Sequence, residues 1–295
     1  MACVAVLAGC GGSARRTGPV APRAPAGTRL VDASRPPFIT GLAVDPTDAS
    51  VLLATNRGLY RIGANGRPLQ AIAARVRAGR EAGPFGERVS SLAFVGAREL
   101  LGSGHPNATA RGLPPFLGVI RSRDGGRSWT ATTRVGFSDL HVLVVSGRAV
   151  YGFDTVLGGV VASSDSGQSF SERSAPPGGL VLDLAVDPGA SRELLASTLG
   201  AIFSSPDGGT RWRRLSSGAE SRLAWTASGL YRADADRGVL VSRDRGATWR
   251  RVGTLPGRPG KLVETAGGAL YAALTDGSIV TSRNGGSTWK ALFAP

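Results

Sequence analysis

Lysine and histidine are almost missing from this chain of 295 residues, which has only Lys261, Lys290, His105 and His141. Of its 35 Lys and Arg, all but those two lysines are arginine, and they give a net charge of +14. The arginines are scattered, with no basic run and no basic helix, so the excess reads as a solvated basic surface and nucleic acid is not an expected partner. The two cysteines, Cys3 and Cys10, both stand near the start. That excludes a disulfide framework or a paired-cysteine zinc site in the body of the chain. No phosphate loop of the form G-x-x-x-x-G-K-[ST] and no G-x-S-x-G elbow is present, so two common carriers of catalysis are absent. The apolar run from Ala2 to Gly9 is too short to cross a bilayer as a helix.

What the chain has in quantity is glycine, 43 residues of it, much of it in one returning pattern. Ser122 to Trp129 reads S-R-D-G-G-R-S-W, and versions of it return at Ser163 to Phe170, Ser205 to Trp212, Ser242 to Trp249 and Ser282 to Trp289. Their central residues, Asp124, Asp165, Asp207, Asp244 and Asn284, are 41, 42, 37 and 40 residues apart, the length of a four-stranded blade. Each box suits a tight turn between two strands. The Asp accepts from turn N–H groups, Gly takes a positive φ at no steric cost, and the closing aromatic packs on the sheet. Calcium would need more oxygen ligands than one box offers, so these aspartates are structural and neither metal nor cofactor is expected.

Between the boxes, continuous apolar runs such as Val142 to Val145 fit strands covered on both faces, and mixed runs such as Trp212 to Ser216 fit an exposed rim. Six units follow, each of an inner strand, two further strands and a polar outer strand. The fold expected is all-β, a six-bladed β-propeller over 36–295. The box of the first unit has decayed, and an insertion from His105 to Pro115 interrupts the second. The last unit owns all four of its strands, so the ring closes by side-chain packing, with Thr28 to Val31 as a candidate edge strand.

The boxes, with the phrases Gly41 to Pro46, Leu53 to Gly58, Gly102 to Pro106, Asp139 to His141 and Tyr151 to Asp154, resemble a family of small exported bacterial propellers with Asp-box (BNR) repeats. These are sialidase-like in fold and commonly catalogued as glycosyl hydrolases; similar boxes occur in sortilin-type receptors and photosystem-assembly propellers, which bind proteins. The resemblance implies histidines where this chain has Phe38, Thr40 and Asn56, so no multi-histidine ligand site is expected. Sialidase chemistry needs an Arg-Ile-Pro motif and an activated Tyr; the nearest string is Tyr60-Arg61-Ile62-Gly63, and no catalytic residue is assigned.

Leu7-Ala8-Gly9-Cys10 resembles the lipobox of bacterial lipoproteins, which implies lipidation at Cys10. Residues 1–10 read as the end of a signal segment whose true start is expected upstream of Met1, and 11–35, rich in Pro, Ala, Arg and Gly, as a flexible tether. The expected location is the outer face of the bacterial cell membrane, reached by the lipid anchor alone. In a propeller, loops between second and third strands share one face with the blade-to-blade connections, and the boxes lie on the other. The non-box face should collect Arg57, His105, Asp139, His141, Asp154, Arg222, Asp234, Asp236 and Asp276, with the two histidines and the aspartates beside them forming a polar cluster. The expected function is a monomeric binding or assembly module of the cell envelope, with an envelope protein or glycan as ligand. The alternative is a glycoside hydrolase acting on an extracellular glycan.

Overall fold

Apolar runs that repeat in the sequence become the inner strands of six sheets. The structure is a computed structural model that describes residues 38–217, 220–265 and 267–295, and every regular element in them is a β-strand. Cys10, the 11–35 tether and the candidate edge strand Thr28 to Val31 lie outside the described residues.

The first blade is β1 (Ile39–Val44), β2 (Val51–Thr55), β3 (Gly58–Ile62) and β4 (Leu69–Ile72). The second contains β5 (Arg75–Ala78), β6 (Glu81–Pro84), β7 (Val89–Gly96), β8 (Glu99–Gly104), β9 (Val119–Ser122) and β10 (Ser128–Thr133). The third is β11 (Leu140–Ser146), β12 (Ala149–Asp154), β13 (Gly159–Ser163) and β14 (Ser171–Arg173). The fourth is β15 (Val181–Asp187), β16 (Ala190–Thr198), β17 (Ala201–Ser205) and β18 (Arg213–Ser217). The fifth is β19 (Ser221–Thr226), β20 (Gly229–Asp234), β21 (Gly238–Ser242) and β22 (Arg250–Thr254). The sixth is β23 (Pro259–Glu264), β24 (Leu270–Leu274), β25 (Ile279–Ser282) and β26 (Lys290–Phe293). The inner strands β1, β7, β11, β15, β19 and β23 pack side by side in that order, and β23 returns to β1, so the ring is complete. At the seam Ile39, Leu42, Leu53 and Ile62 share one apolar cluster with Tyr271, Ala273 and Ile279, as the expected closure by packing requires.

The expectation of four strands in every blade fails in the second, whose sheet runs β6-β5-β10-β9-β8-β7. A hairpin of β5 and β6 adds to its rim, β5 lying parallel to β10 with Val76 opposite Trp129. The hairpin is held by the insertion after β8, where Asn107 donates its N–H to the Pro84 carbonyl at 3.3 Å. Phe85 then meets the Trp129 ring edge-on at 5.8 Å, both buried.

All five box turns join the third strand to the fourth and therefore lie at one end of the ring. In the first, the Ser122 hydroxyl donates to Asp124 Oδ1 at 2.8 Å and accepts the Gly126 N–H at 2.9 Å. Asp124 Oδ1 also receives the N–H groups of Arg127 and Ser128, at 3.0 and 2.9 Å. The Trp129 indole closes the turn on the Gly126 carbonyl at 2.8 Å.

A second regularity lies at the opposite end of the inner strands. Five of the six begin with a bulge, after Ile39, Val89, Leu140, Val181 and Pro259; β19 has none. A bulge leaves one residue out of the ladder and re-aims its side chain. The residues so released are Thr40, Ser90, His141, Leu182 and Gly260, all at the mouth of the channel on the non-box face.

Candidate functional site

On this loop face the structure brings three of the expected residues together. His105 follows β8, Asp139 precedes β11, and His141 is the bulge residue of β11. The Nε2 atoms of His105 and His141 lie 3.0 and 2.9 Å from the same oxygen, Asp139 Oδ2. The Ser90 hydroxyl, released by the bulge of β7, donates to Asp139 Oδ1 at 2.6 Å. Burial pushes the Asp139 carboxyl up, but the hydrogen bonds from His105, His141 and Ser90 outweigh it and hold the group well below the usual carboxylate range.

The two imidazoles have different duties. His105 Nδ1 faces the Pro115 carbonyl oxygen at 2.8 Å, so both of its ring nitrogens point at acceptors and the ring is best satisfied as an imidazolium. Its pKa is raised accordingly, chiefly by the bond to Asp139 and against burial. The ring also packs on Phe116 at 5.3 Å. His141 keeps 51% of its side chain exposed, and its Nδ1 makes no hydrogen bond among the described residues. With Nε2 on the carboxylate, that second nitrogen is available to hydrogen-bond a partner. Two imidazoles aimed at one carboxylate do not enclose an ion, and among the described residues no group of His, Cys, Asp and Glu is arranged to hold a metal.

Asp154 does not join the cluster, which corrects its expected place. It is fully buried, bonded to Ser138, to Arg134 at 3.3 Å, and to the N–H groups of Asp139, Val156 and Leu157. Its role is to anchor the backbone of Asp139 from behind.

The other candidates do not converge with them. Arg222 turns across the inner strands to the Gly260 carbonyl at 2.6 Å and to Glu220 at 3.3 Å. Asp234 is taken up by Arg232 at 3.2 Å and by the Ser221 hydroxyl at 2.7 Å. Asp236 and Asp276 cap tight turns through the N–H groups of Gly238 and Ser278, each at 2.9 Å. Arg57 sits in the turn between β2 and β3, its N–H on the Thr55 hydroxyl at 3.0 Å.

Two features escaped the sequence reading. One is the channel pair Asp183 and Lys261, on different blades and brought together only by the ring. The other is apolar: the large hydrophobic side chains most exposed among the described residues are Phe38, Phe137, Val156, Leu157, Leu180 and Leu199. Phe38 directly precedes the inner strand β1, and each of the others lies in a blade-to-blade connection or a second-to-third-strand loop, so all are on the loop face. The signal for them was available, since Val156-Leu157 and Phe137 stand between strands where polar turn residues are the rule. The box face instead carries a cavity of about 550 Å³ between the fourth and fifth blades, lined by Asp187, Trp225, Ser228, Arg243 and Arg245 among others.

No family model and no curated protein sequence matches the chain. Solved structures do. An ancestral GH74 enzyme aligns over 86% of this chain with 13% identity and a TM-score of 0.54, and the chain spans only 38% of that enzyme's length. YCF48 from Cyanidioschyzon merolae aligns over 86% of this chain and 84% of its own with 15% identity and a TM-score of 0.51. At these identities the likeness is one of architecture, and it agrees with the ring described above: the chain is a six-bladed β-propeller.

Proposed function

We propose that the chain is a protein-binding or assembly module of the bacterial cell envelope, docking its partner on the loop face and tethered there through Cys10. The observation that carries this reading is the gathering of Phe137, Val156, Leu157, Leu180 and Leu199 on one face over neighbouring blades, beside the half-exposed His141. Exposed apolar side chains collected on one face mark interaction sites, and a polar group at their edge supplies direction. The Phe137 ring lies 5.2 Å from the nearly buried Arg134 guanidinium, which is itself paired with Asp154.

A glycoside hydrolase needs two carboxyl groups facing a substrate across about 5–10 Å. Here Asp139, Asp154 and Asp234 are bound up in internal hydrogen bonds, and Asp236 and Asp276 cap their own turns. The test uses one purified sample. Cross-linking to envelope extract should capture a partner with the wild type and lose it with the triple variant Phe137→Ser, Leu180→Ser, Leu199→Ser. Turnover of chromogenic glycosides that disappears in Asp139→Asn would replace the binding reading with the enzymatic one. Membrane fractionation of the wild type against Cys10→Ser tests the tether, and equal solubility of the two would remove it.

A further inference from the structure

The inner strands of all six blades line a small cavity in the central channel, of about 60 Å³, bordered by Thr40, Ser91, Val142, Asp183, Leu223 and Lys261. Such a volume admits a few waters, at about 10–15 Å³ each, or one small ion with water. Two of the groups on it make no hydrogen bond to the described residues. Thr40 Oγ1 is buried and has no hydrogen-bond partner, and the Lys261 ammonium makes no hydrogen bond among the described residues. Thr40 belongs to β1 and Lys261 to β23, so the two face the cavity from either side of the seam that closes the ring.

Both groups left over can donate: the ammonium does nothing else, and the hydroxyl can also accept. Asp183 is the carboxylate on the cavity, and its oxygens already accept the Leu184 and Leu223 N–H groups, each at 3.0 Å. The Ser91 hydroxyl is spent on the Leu140 carbonyl at 2.5 Å. Two cations, Lys261 and Arg222, act on the Asp183 carboxylate, and Arg222 is also paired with Glu220.

We propose that the channel binds one small monovalent anion of halide size, held between the Lys261 ammonium and the Thr40 hydroxyl, and that this anion staples the last blade to the first. A ligand that binds only the closed ring stabilises it by mass action.

Thermal unfolding of the chain is compared in chloride, in bromide and in gluconate at matched ionic strength, gluconate being too large for the cavity. The wild type should melt about 2–4 °C higher in the halides, with saturation. Lys261→Met and Thr40→Val should fold in gluconate and lose the halide increment. Crystals grown in bromide should show anomalous density in the channel. Equal melting of the wild type in chloride and gluconate, or a bromide-soaked channel that holds waters only, overturns the proposal. So does a halide increment that survives both substitutions. If the variants fail to fold, the wild-type bromide density decides alone.

Discussion

The imidazoles of His105 and His141 meet on a single atom, Oδ2 of Asp139, although one enters from the end of a second strand and the other from the bulge of the next blade's inner strand. They share an acceptor but not an environment. His105 has 19% of its side chain exposed against 51% for His141, and His105 alone has a second acceptor at its other nitrogen.

Removing them should therefore give different results. His105→Ala leaves a nearly buried carboxylate short of its main partner and should cost about 2–4 kcal/mol, whereas His141→Ala should cost well under about 1 kcal/mol and affect partner binding instead. The pH dependence has a definite sign. Because the folded pKa of His105 is raised, its contribution is fully present below its ordinary value of about 6.5 and is lost as pH rises through the raised value. Asp139, whose pKa is lowered, contributes above the ordinary Asp value and loses that only as pH falls through the lowered one. Urea unfolding should show a wider gap between wild type and His105→Ala at about pH 5.5 than at about pH 9.

Glu264, at the end of β23, should act in the opposite sense to a paired carboxylate. Burial drives its carboxyl up to about 7, against hydrogen bonds from Thr226 and Ser228 in the turn of the fifth blade. The unfolded chain releases this proton near the ordinary value of 4.5, so stability is lost as pH rises from there through about 7. Glu264→Gln keeps the shape without the charge. It should match the wild type near pH 4 and exceed it by about 1–2 kcal/mol near pH 8, after solvent screening of a half-buried group. Chemical denaturation at both pH values checks this, and a variant no more stable at the higher pH would refute it.

The sixth-blade box is a natural substitution experiment. Asn284 takes the place of Asp and keeps the turn: it accepts from the Ser282 hydroxyl at 2.9 Å and the Thr288 N–H at 3.0 Å, and its amide donates to the Thr288 hydroxyl at 2.9 Å. In Asp124 the same contact runs the other way, with the Ser128 hydroxyl donating to Oδ2 at 2.5 Å. A hydroxyl rotor can serve either role. Asp124→Asn should thus change stability by under about 1 kcal/mol, and Asp124→Ala should cost about 1–3 kcal/mol through unmet turn N–H groups. Acid should spare the boxes. Asp244 is held down to about 2, first by the hydrogen bond from the Thr248 side chain, so its share of stability is present above the ordinary Asp value and lost only as pH falls through about 2.

Legibility in the sequence followed the range of the forces involved. The boxes are local, so their eight residues could be read directly, and β2, buried at every position, was readable as an apolar run. The hairpin of β5 and β6 was not. Arg75-Val76-Arg77-Ala78 and Glu81-Ala82-Gly83-Pro84 carry little apolar weight, and what orders them is Trp129 and the insertion near Asn107, distant in the chain. The convergence of His105, Asp139 and His141 was legible because blade order fixes which loops are neighbours. Asp154 misled because a strand-end carboxylate facing solvent and one turned in to cap backbone N–H groups look alike until the connection after Phe137 is folded. Asp183 and Lys261 were hidden for a related reason: the bulges that set their register leave no mark in composition.

Ring closure offers the sharpest test of the architecture. The turn between β3 and β4, in place of the missing first box, sets Gly66 against the Leu292 carbonyl of β26, where a methyl group would overlap the oxygen. The sixth-blade box turn makes the corresponding approach to the fifth blade, its Gly286 carbonyl lying where a methyl on Gly253 would go. The seam is thus packed as closely as an ordinary blade junction. Gly66→Ala should lose stability in two parts, the strain of a side chain at φ 86 and the overlap with β26. Gly136→Ala isolates the first part, since Gly136 has φ 92 and nothing within 4 Å of the added methyl. We expect about 1 kcal/mol for Gly136→Ala and about 2–4 kcal/mol for Gly66→Ala, the difference measuring the seam. Equal losses in urea unfolding would mean that the first and last blades are not pressed together in solution. The ring would then have to be closed by something other than packing.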